Sequence, residues 1–87
     1  MKATFQKKVY EVVFTDHAKL QMSLRSLDEK EVIEIIEIGE AKAKESAGKF
    51  WVYRQLKERS DNMISVSISL ETENLIVITA MVNWRPK

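Results

Sequence analysis

The chain has 87 residues and a mass of 10.1 kDa, enough for one domain and too little for a second core. Hydrophobic residues make up 45% and charged residues 31%, and 14 Lys and Arg against 13 Asp and Glu leave a net charge of +1, which excludes a polybasic tail or an acidic disordered segment. Cysteine is absent, which removes disulfides, thiolate metal sites and cysteine nucleophiles.

Residues 9–14 (VYEVVF) are β-branched and aromatic and predict a strand. Thr15 or Asp16 then caps a helix running to about Arg25, because a short oxygen side chain accepts the free N–H groups of a first turn. Asp28 opens a second helix, with Glu31 in the place of a capping-box partner. Val32, Ile33, Ile35 and Ile36 form its apolar stripe, and Glu31, Glu34 and Glu37 its solvated side. Gly39 stands where a left-handed residue ends a helix. Residues 41–45 read equally as a short strand or as a helix tail.

From Lys49 the period changes to two. Phe50, Val52, Arg54 and Leu56 share one side of a strand, and Trp51, Tyr53 and Gln55 the other. In residues 63–70, Ile64, Val66, Ile68 and Leu70 alternate with Ser65, Ser67 and Ser69, the pattern of one buried and one wet face. Residues 71–74 (ETEN) predict a hairpin turn, and residues 75–82, apolar on both sides, a central strand. The order β-α-α-(β)-β-β-β predicts an α+β fold: a single domain over residues 1–87, with two helices on one face of a twisted antiparallel sheet.

No targeting or membrane segment is expected. The first eight residues have no apolar run behind their charges, and the longest nearly apolar run, residues 75–82, falls far short of the roughly 18 residues of a spanning helix. A cytoplasmic location follows as the expectation.

The first helix carries the most informative residues. At 3.6 residues per turn, His17, Gln21 and Arg25 form a polar line, flanked by Leu20 and Leu24 on one side and Ala18 and Met22 on the other. A core helix would place Leu or Ile along that line. It reads either as a hydrogen-bonded network or as the floor of a cleft. Candidate polar residues also have structural readings: His17 as a cap or half-buried side chain, Arg25 as a cation at a helix end, Arg54, on the Phe50 side of its strand, as a side chain reaching the sheet edge, and Thr79, in the last strand, as a good β-former.

The segment Phe14-Thr15-Asp16-His17-Ala18, followed by Met22, Arg25, Leu27, a capped helix containing Val32, and Gly39, resembles a small bacterial family, domain of unknown function 4258. Its members look like H-A-x-x-R-M-x-x-R-x-[I/L], with a second helix ending in Gly and a last strand near V-I-T, here Val77-Ile78-Thr79. The resemblance spans residues 9–82. Gln21 departs from it, standing where the family usually has its first Arg, and so thins any phosphate site built there. That family is similar to the barnase, EndoU, colicin and RelE group of metal-independent ribonucleases and toxins. The resemblance implies His17, Arg25 and Thr79 as site residues, and RNA and a cognate antitoxin as partners.

RNA cleavage without metal needs a base for the 2′-hydroxyl, donors for the charge developing on phosphorus and an acid for the leaving oxygen. His17 would serve as base or acid, Arg25 and Arg54 would hold phosphate through their planar forks, and Thr79 would add a hydroxyl donor. Trp51 and Tyr53 offer stacking surfaces for unpaired bases, or cover an open sheet face or an oligomer contact. Against catalysis stand the single histidine and the near-neutral charge.

Other chemistries fare worse. No Gly-rich phosphate loop exists, and one His with no Cys gives no metal site or cofactor. The competing reading is a non-catalytic domain that pairs with itself or a partner through a strand edge.

Overall fold

The computed structural model describes residues 1–55 and 63–84. Leu56, assigned from the sequence to the Phe50 side of its strand, lies outside the described residues. The described elements run β1 (Lys2–Phe5), β2 (Lys8–Phe14), α1 (Asp16–Leu24), α2 (Glu29–Ile38), β3 (Glu40–Ala43), β4 (Lys49–Arg54), β5 (Ile64–Glu71) and β6 (Asn74–Met81). They make an α+β fold with the expected order, preceded by one strand, β1, that the pattern did not reveal.

The sheet is mixed, with strand order β1-β2-β6-β5-β4-β3. β2 pairs parallel to β6, and every other described pair is antiparallel. A parallel pair needs a long crossover, which the two helices and the β3–β5 meander supply. The strands curl: the Phe5 and Phe50 rings, from β1 and β4, meet edge to face at 5.3 Å, although three strands lie between theirs in the sheet. At about 4.8 Å per strand a flat sheet would hold them near 19 Å apart.

Residues that look alike in sequence are divided by a bulge. Ser67 pairs with Thr79 but Ile68 with Val77, so Ile78 is an extra residue on β6. Leu75, Val77 and Ala80 thereby all face the core, and Thr79 turns to the opposite side. The bulge also anchors α1: Thr15 donates its N–H to the Val77 carbonyl at 3.2 Å and its hydroxyl to the Ile78 carbonyl at 3.1 Å. The same Thr15 oxygen caps the helix by accepting from the Ala18 N–H at 3.0 Å.

Ala18 and Met22 are the buried positions of α1, with Leu20 56% and Leu24 67% exposed. The packed face is therefore centred on the small residue, and the His17–Gln21–Arg25 line runs along its margin. The helix ends in a Schellman motif: Leu27 N–H reaches the Met22 carbonyl at 2.8 Å and Ser26, at φ 54°, reaches Ser23 at 3.2 Å. α2 follows through the capping box the sequence predicts, with Glu31 N–H to Asp28 at 2.7 Å and Asp28 N–H to Glu31 at 3.0 Å. Val32, Ile35 and Ile36 drop into the core beside Val52, Val66, Ile68 and Val77.

Gly39 corrects an expectation. Its φ is −77°, an ordinary value, and not left-handed. Glycine is required because a Cβ would stand 2.4 Å from the Ile35 carbonyl oxygen and 2.8 Å from that of Tyr53. The helix turns straight into β3 there, which settles residues 40–43 as strand. The β1–β2 turn, Gln6-Lys7, has φ of 50° and 68°, the type I′ geometry that usually takes Asn-Gly. Without that signal β1 was not legible.

Among the described residues no helix is long and apolar enough to cross a membrane.

Candidate functional site

The sheet has two faces. One lies under α2 and holds the core. On the other, strand alternation lines up Lys42, Trp51, Ser67 and Thr79 in one cross-strand row, and Glu40, Tyr53, Ser65 and Met81 in the next. Trp84 folds over these rows, its main-chain N–H bonded to the Met63 carbonyl at 2.9 Å. Its ring centroid lies 5.0 Å from that of Tyr53 and 5.6 Å from that of Trp51. The three rings form one patch.

This patch overturns the expectation of a wet serine face. Ser65 and Ser67 are 0% and 1% exposed. Trp51, Tyr53 and Trp84 roof them, an effect the alternation could not reveal because it depends on a residue beyond the last strand. The Ser65 hydroxyl finds no partner among the described residues. Ser67 accepts a hydrogen bond from the Lys44 amino group, which also sits 4.1 Å from the Trp51 ring centroid. Ring and hydroxyl favour the charged amine. Burial, and then the nearby Lys49 charge, disfavour it, and the outcome is a Lys44 pKa below its usual 10.5. At the patch edge the Glu40 carboxylate, hydrogen-bonded to the phenol, and partial burial raise Tyr53 above its usual 10.0.

The other sequence candidates occupy different places. His17 is exposed in the first turn of α1, two residues from the Thr15 anchor that binds the carbonyl preceding Thr79. Arg25 is half-buried and caps the opposite end of the same helix, about 12 Å along its axis. Arg54 points to the core side of β4, away from Trp51 and Tyr53, and donates to the Ile38 carbonyl at the end of α2 at 3.2 Å. That contact answers the negative end of the helix dipole.

Two open hollows are relevant. One of about 540 Å³ lies at the α1–α2 junction, against Lys19, Met22, Ser23, Leu27, Asp28 and Lys30, and takes up none of the sequence candidates. The other, about 230 Å³, is lined by Gly39, Glu40, Tyr53, Arg54, Gln55 and Met63. It sits at the Tyr53 edge of the aromatic patch, between the start of β3 and the end of β4. Among the described residues no three His, Asp or Glu side chains gather as a metal site. The patch brings together Trp51, Tyr53 and Thr79, which the sequence offers as candidates, with Lys44 and Trp84, which it does not. Lys44 falls in the segment left undecided between strand and helix, and no periodicity marks a residue packed from outside a strand.

No curated protein and no solved structure matches the chain. The family model for a domain of unknown function (DUF4258) matches residues 14–82, beginning at the last residue of β2 and ending just past β6. That span takes in both helices and the whole aromatic patch except Trp84, and the chain belongs to the DUF4258 family.

Proposed function

We propose that this domain acts on RNA and that it holds single-stranded RNA on the outer face of its sheet. The observation that carries the reading is the joined patch of Trp51, Tyr53 and Trp84, with the Lys44 amino group over one ring and Thr79 in the same row. Aromatic rings on a sheet stack unpaired bases of any sequence, and adjacent amines meet the phosphates. Lys42 and Lys49 share the face with Lys44 and make it locally basic, although the whole chain is nearly neutral. The affinity is accordingly modest and falls with salt. Quenching of tryptophan fluorescence by a single-stranded oligoribonucleotide measures it. Saturable quenching that weakens about tenfold in Trp51→Ala supports the reading; an unchanged spectrum at low salt removes it.

A second reading, metal-independent cleavage of that RNA in the manner of a ribonuclease toxin, is favoured by one specific arrangement. Thr15 ties the helix bearing the exposed His17 to the β6 bulge beside Thr79, so a base and a hydroxyl donor stand on linked elements. The imidazole would take the 2′-hydroxyl proton as that oxygen bonds phosphorus and the P–O5′ bond breaks, the resulting imidazolium would return a proton to the departing 5′-oxygen, and the Thr79 hydroxyl would donate to the phosphate. Arg25 and Arg54 would supply charge from the helix ends. RNA incubated with the protein and EDTA should give fragments ending in cyclic phosphate, absent with His17→Ala, and expression should arrest growth only with His17 intact. Binding without fragments leaves the RNA-holding reading and ends the catalytic one.

A further inference from the structure

The two outer strands of the sheet are treated differently. The β1 edge is guarded: the Thr4 N–H, which points away from β2, donates to the Glu37 carboxylate of α2 at 2.9 Å. A charged side chain across an edge blocks pairing with another strand. Among the described residues, the β3 edge has no such guard. Lys44 N–H bonds to the Lys49 carbonyl at 2.9 Å, so by strand alternation Glu40, Lys42 and Lys44 turn their main-chain groups to β4. Ala41 and Ala43 turn theirs outward, and no described residue takes them. Both are exposed, both carry only a methyl group, and Ile38, just before the strand, is 52% exposed.

We infer that β3 is a self-pairing edge, on which a second copy of this chain adds its own β3 antiparallel, with Ala41 opposite Ala41. Charge selects both occupant and register. In that register Glu40 of each copy lies directly opposite Lys42 of the other, on the outer face, making two opposite-charge cross-strand pairs related by the two-fold axis. Sliding the strands by two residues sets Glu40 against Lys44 on either side but Lys42 against Lys42 between them, and sliding by four sets Lys42 against Lys44. Only the register centred on Ala41 pairs opposite charges without setting like charges face to face. The paired alanines exchange two main-chain hydrogen bonds, and their small side chains let the strands close. The outer faces of the two copies then run on as one surface.

This inference does not rest on the RNA reading, and Trp51→Ala should leave self-association unchanged. Sedimentation equilibrium over a roughly hundredfold concentration range reads it directly. The native chain should move from one to two subunits, less readily as salt rises. Ala41→Pro removes an outward N–H that β4 does not use, and should hold the chain monomeric with an unchanged circular dichroism spectrum. Glu40→Lys and Lys42→Glu should each weaken the dimer tenfold or more, and the double swap should restore it. A native chain that stays monomeric throughout, a dimer indifferent to Ala41→Pro, or a double swap that remains monomeric would overturn the assignment.

Discussion

The two faces of this sheet are built from the same strands and obey different rules. On the inner face, Val52, Val66, Ile68 and Val77 are sealed under α2 by other aliphatic side chains. On the outer face, side chains of similar burial are serines, sealed by large rings that themselves remain half exposed. The inner face therefore derives its stability from close-packed aliphatic contact, where each missing methylene is felt. The outer face keeps polar atoms, a cation and stacking surfaces within reach of solvent. Burial alone does not separate structure from function here; the chemistry of what does the burying does.

The sharpest way to break the contrast is Ile68→Ala. This side chain is fully buried on the inner face, and its loss should cost about 3 kcal/mol, lowering the melting temperature by more than about 10 °C. Next in size is Trp51→Ala on the outer face, where the loss should fall on RNA affinity, by about tenfold, more than on the melting temperature. If instead it unfolds the chain as Ile68→Ala does, the patch is a second core and not a contact surface.

Smaller effects sharpen the picture. Ser65→Ala removes a sealed hydroxyl that has no partner among the described residues, and denaturant unfolding should show it neutral or stabilised by up to about 1 kcal/mol. The smallest concerns Tyr53. Its ultraviolet titration should fall above the ordinary phenol value of 10.0, and Glu40→Gln should bring it back down. Because the folded-state value is the raised one, the Glu40 contact contributes stability below the ordinary phenol range and loses it as pH climbs through the raised value.

Local chemistry made much of the fold legible. The Asp28–Glu31 capping box, the Thr15 cap and the alternation of residues 64–70 all act through neighbours a few residues apart, and all three elements formed as expected. β1 was not legible, because its turn uses Gln6-Lys7 in a conformation that Asn-Gly would have announced. The serine face was misread because alternation reports which side chains share a side, and says nothing of what later covers that side. The same limit applies to the polar line on α1. Its spacing was right, but the packed face centres on Ala18 and Met22, since the helix approaches β6 closely enough to need a small residue.

By itself, then, the amino-acid sequence determined the class of fold, the N-terminal caps of both helices, the placing of Trp51 and Tyr53 on one side of a strand, and the family. Each depends on spacing within a single element. The tertiary structure decided the rest. One extra residue at Ile78 put Thr79 on the outer face beside Ser67, in the row of Trp51, where unbroken alternation would have sent it to the core with Leu75 and Val77. Trp84 joined the patch by packing back from beyond β6 onto the β4 rings, and Lys44 by reaching Ser67 on β5 past the Trp51 ring. A bulge and a cross-sheet contact are long-range events: they change which residues meet without changing any local pattern that could announce them.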